Sequence, residues 1–316
     1  MANVLLETKD LCKYFRTPKG ILHAVEGVNL KINEGQTLGV VGESGCGKST
    51  LGRTVLRLHS ATSGEVLYKG ENILKYNKSE MRKVHENMQM IFQDPYSSLD
   101  PRMSIRALIS EPLTASKEKI GQDETKKRVE RMMDMCGLPS HYANLYPHEL
   151  DGGMRQRVGL ARSMILEPKF IVCDEPVSAL DVSIQAQILN LLMDLQEEHK
   201  LSYMFITHDL AVVKHISDDI MVMYMGQVVE YTSSSELFAN PLHPYTKALL
   251  NSIPTIDLSR RNRERITIKG EVSSPINPAP GCRFAPRCPY ASEECKKKHE
   301  VKEVKPGHFA SCTKGA

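Results

Sequence analysis

The sequence predicts an α/β protein with a largely parallel sheet, an inserted helical segment and a small cysteine-rich C-terminal extension. Over the first 230 residues, short apolar runs alternate with longer amphipathic ones, which is the pattern of an α/β domain. Between about residues 96 and 160, charged and Met-rich helix-forming sequence replaces the strand-like runs. From residue 271 onward, five prolines by Pro289 and four cysteines leave little material for an ordinary apolar core, so this tail needs a staple.

These observations divide the chain into three expected parts. Residues 1–230 form the α/β domain, with the helical subdomain at about 96–160. Residues 231–270 form a linker with short helices and a basic stretch, and residues 271–316 form the four-cysteine extension.

Composition excludes several classes of protein. The chain has 316 residues, of which 41% are apolar and 25% charged, so a disordered, collagen-like or membrane-embedded protein is not expected. The net charge is only +3, which gives no footprint of a nucleic-acid-binding protein. The longest apolar runs, such as residues 220–225, are far shorter than the roughly 18 residues of a membrane span. The N-terminus does not match a signal peptide, so we expect a cytosolic protein.

Three apolar runs are the clearest strand predictions. They cover residues 37–41, 170–173 and 203–207, and each ends in a polar or glycine-rich turn. Strands that are covered on both faces and stop at such turns are typical of the ligand-binding edge of a parallel sheet.

The first of these strands leads directly into a phosphate-loop motif at residues 42–49. Its glycines allow backbone N–H groups to converge on phosphate oxygens at the start of a helix. Lys48 is expected to reach the β and γ phosphates, and the Ser49 hydroxyl to bind Mg²⁺. The candidate ATP-binding residues of this segment are Gly42, Ser44, Gly45, Cys46, Gly47, Lys48, Ser49 and Thr50.

The second strand ends in two acids, Asp174 and Glu175. Downstream of a phosphate loop, Asp174 is the candidate acid on the metal side and Glu175 the candidate general base. The structural alternative is that both acids cap a helix after a buried strand.

Further motifs follow in an order that is characteristic of one family. They are Phe92-Gln93-Asp94-Pro95, Leu150-Asp151-Gly152-Gly153-Met154-Arg155-Gln156-Arg157, Ser178-Ala179-Leu180-Asp181, His208 after the third strand, and Leu11-Cys12-Lys13-Tyr14-Phe15 near the start. In this order they resemble the Q-loop, signature, D-loop, switch histidine and aromatic loop of ABC transporter ATP-binding subunits. The resemblance covers essentially the whole chain.

The resemblance implies a fold and a set of roles. The fold is the ABC nucleotide-binding domain, with a RecA-like parallel sheet core, an antiparallel β subdomain and an inserted helical subdomain. Gln93 would contact Mg²⁺ and the attacking water, His208 would hold the γ-phosphate, and Phe15 or alternatively Tyr14 would stack on adenine. The implied Mg²⁺ contacts are Ser49, Gln93 and Asp174, and the implied contacts to a partner subunit's ATP are Asp151, Gly152, Gly153 and Asp181.

The family pairs two such subunits head to tail, with each ATP between one phosphate loop and the other subunit's signature. This implies a second ATP-binding subunit, two transmembrane permease subunits and an extracytoplasmic peptide-binding protein, with no nucleic acid. The chain would lie peripherally on the cytoplasmic face of the cell membrane.

Asp151 departs from the family, whose signature normally has serine at this position. Both residues are good helix N-caps, so we expect the signature helix to form. A carboxylate about 4 Å from a γ-phosphate oxygen would repel it by roughly 1 to 4 kcal/mol. We therefore expect the composite site that uses this signature to be impaired, and a heterodimer rather than a homodimer.

Cys282, Cys288, Cys295 and Cys312 are spaced in a way that favours a metal staple. Zinc and an iron–sulfur cluster both suit four thiolates, and a disulfide is the alternative. The tail resembles the C-terminal extension of oligopeptide and dipeptide importer ATP-binding subunits, through the Cys282 block and Pro241-Leu242-His243-Pro244-Tyr245-Thr246. Some members carry a [4Fe-4S] cluster there, so the resemblance implies that cluster, with zinc as the alternative.

The other cysteines have two expected roles. Cys12, Cys136 and Cys173 are expected to be small buried apolar residues. Cys46 lies near Lys48 and a helix N-terminus, which would lower its thiol pKa and make it reactive, although a tolerated small side chain is the simpler interpretation.

The expected function is ATP hydrolysis that powers import of dipeptides or oligopeptides. Related importers also carry nickel, glutathione or oligosaccharides, and the sequence does not select among these cargoes. Two other functions are a soluble ABC ATPase that acts on nucleic acid or ribosomes, and a redox sensor in which the tail controls the ATPase.

Overall fold

The computed structural model describes residues 3–116, 120–252, 274–297, 300–312 and 314. Its strands are β1 (Val4–Thr17), β2 (Gly20–Asn33), β3 (Thr37–Val41), β4 (Ser63–Tyr68), β5 (Glu71–Asn72), β6 (Met88–Ile91), β7 (Phe170–Asp174), β8 (Ser202–Ile206), β9 (Asp219–Tyr224), β10 (Gln227–Ser233), β11 (Lys302–Lys305) and β12 (His308–Ala310). Its α-helices are α1 (Lys48–Val55), α2 (Lys78–Asn87), α3 (Pro95–Ser98), α4 (Ile105–Ala115), α5 (Gln122–Met135), α6 (Gly152–Met164), α7 (Val182–His199), α8 (Leu210–Ile216), α9 (Ser234–Ala239) and α10 (Pro244–Asn251). The basic stretch expected at residues 260–265 lies outside the described residues.

The chain divides into two compact units. Unit 1 comprises Asn33–Gln36 and Lys75–Phe205, together with the start of the chain. Unit 2 comprises Val4–Ile32, Thr37–Leu74 and Ile206–Ala316.

Unit 1 is built on the strand order β6, β7, β8. β6 and β7 are parallel, with Met88 opposite Phe170 and Ile91 opposite Cys173. Every residue of β7 and β8 is buried, as expected for continuous apolar strands that are covered on both faces. Helices α3 to α6 connect β6 to β7, and α4 packs on both α5 and α6.

Unit 2 contains an antiparallel sheet with the strand order β2, β1, β4, β5. The register of β1 against β4 shifts between Lys9 and Cys12, and Asp10 has a φ of 44° at this irregularity. The long strand β1 carries both N-terminal aromatic positions, Tyr14 and Phe15.

Unit 2 also contains the strands β3, β9, β10, β12 and β11, in that order. β3 and β9 are parallel, whereas β9, β10, β12 and β11 pair antiparallel. This sheet portion is therefore mixed rather than largely parallel. The cause is a tight turn, because Met225 and Gly226 connect β9 to β10 with φ values of 46° and 85°, as a type I′ hairpin requires.

The cysteine-rich tail joins this sheet through β12. His308 Nε2 lies 2.8 Å from Glu230 Oε1, and both side chains are buried. The Glu230 carboxylate also accepts hydrogen bonds at 2.8 Å from the backbone N–H groups of Leu242 and His243. The tail is thus anchored in part by the core of unit 2, a contribution that the expectation of a staple alone did not include.

The predicted elements have matching counterparts. The strand prediction at 37–41 is confirmed by β3, and those at 170–173 and 203–207 agree with β7 and β8 to within one residue. The signature helix expected from the sequence is α6, and Asp151 caps it by accepting a hydrogen bond from Met154 N at 2.7 Å. Within the described ranges, no helix has the length and apolarity needed to cross a bilayer.

Candidate functional site

The phosphate-loop motif connects β3 to α1 in unit 2, and two of its glycines are required by close backbone contacts. Gly42 has a φ of 153°, and a Cβ there would lie 2.2 Å from Met223 O. Gly47 has a φ of 105°, and a Cβ there would lie 2.0 Å from Ala24 O. A side chain at either position would force the loop to move.

Lys48 occupies the first position of α1 and folds back over the loop. Its Nζ donates to Gly42 O at 2.8 Å and to Glu43 O at 3.0 Å, and the residue is only 4% exposed. Ser44 and Gly45 are exposed, whereas Ser49 and Thr50 are half-buried in the first turn of α1. The loop therefore presents backbone and a cation at a helix N-terminus, which is a suitable arrangement for phosphate groups.

Cys46 does not have the lowered pKa that its neighbours suggested. The residue is 4% exposed, and this burial raises the pKa of its thiol even though the Lys48 ammonium opposes the shift. Desolvation outweighs the charge because a thiolate in this position would lose its water. The simpler interpretation, a small tolerated side chain, agrees with the structure. Cys12, Cys136 and Cys173 are buried, as expected.

The two candidate adenine-stacking residues lie near the end of β1 and are both half-buried. The Tyr14 ring stacks on His23 with a centroid distance of 4.0 Å, and its hydroxyl donates to Glu26 Oε1 at 2.6 Å. The Phe15 ring meets His59 edge-on at 5.6 Å, with Lys13 Nζ 4.7 Å from its centroid. Neighbouring residues of a strand point to opposite faces, so only one of these rings can face a given nucleotide.

His208 lies in the short connection between β8 and α8, and it is exposed. The following residue, Asp209, caps α8 by accepting a hydrogen bond from Ala211 N at 2.8 Å. The structure therefore places His208 directly before a capped helix, at the end of a buried strand.

The acidic pair lies at the end of β7 in unit 1. Asp174 is completely buried, and Glu175 has a φ of 48°, which is uncommon for a residue with a side chain. Gln93 Nε2 donates to Glu175 Oε2 at 2.9 Å, so the structure brings these two predicted residues together. A backbone in the left-handed region at this position is typical of a functional site.

The signature and D-loop acids each begin a helix of unit 1. Asp151 is exposed and caps α6, with Gly152 and Gly153 in the first turn. Asp181 is exposed and caps α7, because its carboxylate accepts hydrogen bonds from Ile184 N at 3.0 Å and Ser183 Oγ at 2.7 Å. These hydrogen bonds, that of Ile184 first, lower the pKa of Asp181.

The predicted residues thus form two sets, one on each unit. The phosphate loop, the aromatic positions and His208 belong to unit 2, whereas Gln93, the acidic pair, the signature and the D-loop belong to unit 1.

Sequence reasoning missed a set of contacts that the C-terminal part of the chain makes with the phosphate loop and with β2. Arg287 Nη1 lies 2.8 Å from Glu43 Oε2, and the Glu43 backbone N–H donates to the Tyr245 hydroxyl at 2.9 Å. Arg283 Nη2 lies 2.7 Å from Glu26 Oε2. The available signal was the presence of two arginines immediately beside Cys282 and Cys288.

The four tail cysteines are half-exposed free thiols that line one cavity of about 390 Å³ in unit 2. Burial raises the pKa of the Cys282 thiol to about 11, and the sulfurs of Cys295 and Cys312 contribute to the rise. Burial likewise raises the pKa of Cys288, again with contributions from Cys312 and Cys295. Among the described residues, no three His, Cys, Asp or Glu side chains are arranged to hold a metal ion.

Comparisons with known proteins decide the family. A model described as "ABC transporter" matches residues 25–178, and one described as "Oligopeptide/dipeptide transporter, C-terminal region" matches residues 229–295. The oligopeptide transport ATP-binding protein AppF of Bacillus subtilis (strain 168) is 49% identical over 98% of this chain and 96% of AppF. This chain belongs to the family of oligopeptide and dipeptide transport ATP-binding proteins. The family predicted from the sequence is therefore confirmed.

Other similarities agree with this membership. The oligopeptide transport ATP-binding protein OppF of Escherichia coli (strain K12) is 51% identical over 98% of this chain and 93% of OppF. The solved dimeric structure of the ATP-binding cassette MJ0796, bound to ADP and Pi, has a TM-score of 0.67 and 28% identity. The matched region covers 73% of this chain and 99% of the MJ0796 chain. The chain therefore has the ABC nucleotide-binding fold, with mixed and antiparallel sheets and helices.

Proposed function

We propose that this chain binds and hydrolyses ATP and thereby powers the import of dipeptides or oligopeptides by an ABC transporter. The relatives' names assign oligopeptide transport and ATP binding to those proteins. Their similarity to this chain extends over 98% of its length. The single observation that carries the proposal is the phosphate loop between β3 and α1, with its two sterically required glycines and its buried lysine.

Nucleotide binding follows from the chemistry of this loop. Its backbone N–H groups and the Lys48 ammonium bind the phosphates, and Tyr14 or Phe15 stacks on the adenine. Ser49 and Asp174, together with Gln93, would hold Mg²⁺, since hydroxyl, carboxylate and amide oxygens are suitable ligands for this ion. When bound, Mg²⁺ supplies positive charge that neutralises the phosphate oxygens.

Hydrolysis requires a base for the attacking water, and Glu175 fills this role. The Gln93 amide donates a hydrogen bond to its carboxylate, which orients Glu175. His208 holds the γ-phosphate from the end of β8. A positioned general base contributes about 10²- to 10⁴-fold to a rate.

The test compares Glu175→Gln with a matched control, Glu130→Gln, in the purified chain with its transporter partners. Glu130 is exposed on α5, where it forms a 4.0 Å ion pair with Lys126. We expect Glu175→Gln to lower ATP turnover by at least about 10²-fold while ATP still binds, and Glu130→Gln to leave turnover unchanged. Equal turnover in both variants would contradict the assigned base.

A second ATP-binding subunit completes the site. Asp151, Gly152, Gly153 and Asp181 contact the partner's ATP, and two observations support this role. The helix starts that carry Asp151 and Asp181 are exposed, and the similar cassette MJ0796 is dimeric in its ADP and Pi complex. The charge of Asp151 favours a partner with an intact signature, and therefore a heterodimer. Co-expression of the chain with and without a second ATP-binding subunit, followed by size measurement, tests this assembly.

The remaining partners are two transmembrane permease subunits and an extracytoplasmic peptide-binding protein. With them the chain lies on the cytoplasmic face of the cell membrane, held by the permease subunits. Membrane fractionation with and without the permease subunits tests this location, because the chain should sediment with membranes only when they are present.

The four tail cysteines, Cys282, Cys288, Cys295 and Cys312, would hold a [4Fe-4S] cluster. Their donor set fits this group, since four thiols line one cavity and four cysteines are the usual ligands of such a cluster. Among the described residues the sulfurs line this cavity without converging on one point, which suits a cluster better than a single metal ion. Zinc is the alternative, but it needs four donors that converge tetrahedrally.

Anaerobic purification and measurement of iron, acid-labile sulfide and zinc per chain distinguish these two groups. About four irons and four sulfides, lost together in Cys288→Ser, would support the cluster. One zinc per chain without sulfide would show that the tail holds a structural zinc ion instead of the cluster. ATPase rates measured with the cluster oxidised and reduced would then show whether the tail also senses redox state.

A further inference from the structure

Glu43, the second residue of the phosphate loop, is held by the C-terminal part of the chain from two sides. Its side chain pairs with Arg287, whose Nη1 also donates to the Tyr224 hydroxyl at 3.2 Å. Its backbone N–H donates to the Tyr245 hydroxyl in α10. The Arg287 side chain is 9% exposed and that of Glu43 is 25% exposed, so this pair is largely shielded from water.

A second arginine of the tail pairs with Glu26 of β2 and is linked through it to Tyr14 of β1. The Arg283 side chain is 5% exposed and pairs with Glu26, which also accepts the hydroxyl hydrogen bond of Tyr14. Arg283 also donates to the backbone oxygens of His23 and Met225. Next to Met225, the Gly226 N–H donates to Cys46 O of the phosphate loop at 2.7 Å.

The short segment from Arg283 to Cys288 connects the two arginines to the cysteine cavity. Phe284 follows Arg283 directly, is 1% exposed and lines the cavity with the four cysteines. Its ring lies 5.2 Å from that of Tyr224 and 5.3 Å from that of Tyr245. The 3-10 turn Ala285–Arg287 then leads directly to Cys288. A rearrangement of the cysteines therefore moves the residues that hold Glu43 and Glu26.

The charges of Glu43 and Arg287 determine in which direction their ion pair changes nucleotide affinity. Glu43 lies in the loop that receives the negative charge of the nucleotide phosphates. Arg287 compensates the Glu43 carboxylate, and without it an uncompensated anion would remain beside the phosphates and repel them. The contact thus acts on nucleotide affinity and not only on stability.

We propose that Arg287 and Arg283 are positioning residues through which the four-cysteine segment controls the affinity of the phosphate loop for nucleotide. Arg287 acts by compensating and holding Glu43, and Arg283 acts by holding Glu26 and with it Tyr14. The inference rests on the proposed ATP-binding function and adds a regulatory input to the same site.

The first experiment measures the affinity of the purified full chain for a fluorescent ATP analogue. We expect Arg287→Ala to weaken binding about fivefold or more, and Arg287→Lys, which keeps the charge, to weaken it less. Glu43→Gln in the Arg287→Ala background should restore most of the affinity, because it removes the uncompensated charge. A merely structural role of Arg287 would not give this rescue.

Lys296→Ala is the matched control. Lys296 lies beside Cys295 in the same tail, and its ion pair with Glu293 is exposed. It should leave nucleotide affinity unchanged. If Arg287→Ala and Lys296→Ala bind the analogue equally well, the inference is overturned. If the wild-type chain itself fails to bind it, the proposed function fails instead.

The second experiment links the cysteines to the loop. We expect Cys288→Ser to weaken binding of the analogue when it is introduced into the wild-type chain. In the Arg287→Ala, Glu43→Gln background, the same substitution should change the logarithm of the Kd by less than half as much. A full effect in both backgrounds would show that the tail acts by another route and would overturn the inference. Thermal melting of each variant confirms that the compared proteins are folded.

Discussion

Asp151 contributes both a helix cap and a negative charge, and a serine at this position would keep the cap but remove the charge. As the N-cap of α6 it satisfies the N–H of Met154, which serine can also do. Its charge, by contrast, is unfavourable wherever the signature helix meets a partner's phosphates. The same residue is therefore good for folding and poor for the proposed contact in trans.

This gives a prediction for two substitutions. Asp151→Ser should leave the melting temperature nearly unchanged and raise ATP turnover in the assembled complex. Asp151→Ala should destabilise the chain by about 1 kcal/mol, because α6 loses its cap. Unchanged turnover in Asp151→Ser would show that the charge does not impair the composite site.

The Glu26 carboxylate gives a prediction for pH. Burial opposes its ionisation, but hydrogen bonds from Tyr14 and His23 and the charge of Arg283 lower its pKa below the usual 4.5. A lowered pKa in the folded state means that this stabilisation is present above about pH 4.5 and is lost as the pH falls through the lowered value. The melting temperature of wild type should exceed that of Glu26→Gln at neutral pH, and the difference should narrow in acid. A constant difference would contradict this assignment.

At the scale of elements, continuous apolar strands were the easiest to predict. β3, β7 and β8 are short runs in which every residue is buried, so periodicity and length alone identify them. β12 was missed because its stabilising contact is a polar one, from His308 to a glutamate 78 residues earlier in the chain. β11 was missed because all four of its residues are exposed, and such a segment has no buried face to produce a pattern.

The buried pair that anchors β12 should be important for stability. His308→Ala removes a buried partner of Glu230, and we expect a loss of about 1 to 3 kcal/mol in the free energy of unfolding, measured by denaturant titration. Lys305→Ala is the control in the neighbouring strand, because the Lys305 side chain is exposed and its 3.7 Å ion pair is with Glu236, which is half-buried. Equal stability of both variants would show that the His308 contact contributes nothing.

At the scale of the whole molecule, the motifs predicted the family, but not the path of the tail. The phosphate loop, signature and acidic pair are local patterns, so they could be identified one by one. The ion pairs of Arg283 with Glu26 and of Arg287 with Glu43 join residues more than 240 positions apart in the chain. No local pattern encodes such a pairing, since only the folded sheet brings β10 and the tail together.

Removal of the tail tests this view of the molecule. A chain that ends at residue 297 would lack β11 and β12 and leave the edge of β10 unpaired. We expect it to melt at a lower temperature and to aggregate more readily than the full chain, by differential scanning fluorimetry and light scattering. Full solubility and an unchanged melting temperature would show that β12 is dispensable.

The position of β12 also affects how the chain is made. During synthesis on the ribosome, β10 emerges some 75 residues before the strand that covers it. Over this interval the nascent chain exposes the edge of β10 that β12 later covers. An unpaired strand edge is a template for pairing with other chains. Only after β12 has left the ribosome can it cover this edge, and β11, with Lys302 and Lys305 exposed, then becomes the new edge. Pairing of β12 therefore closes this side of the sheet after β10 has been made, and a chain that stops before β12 would be the form that chaperones or proteases must handle.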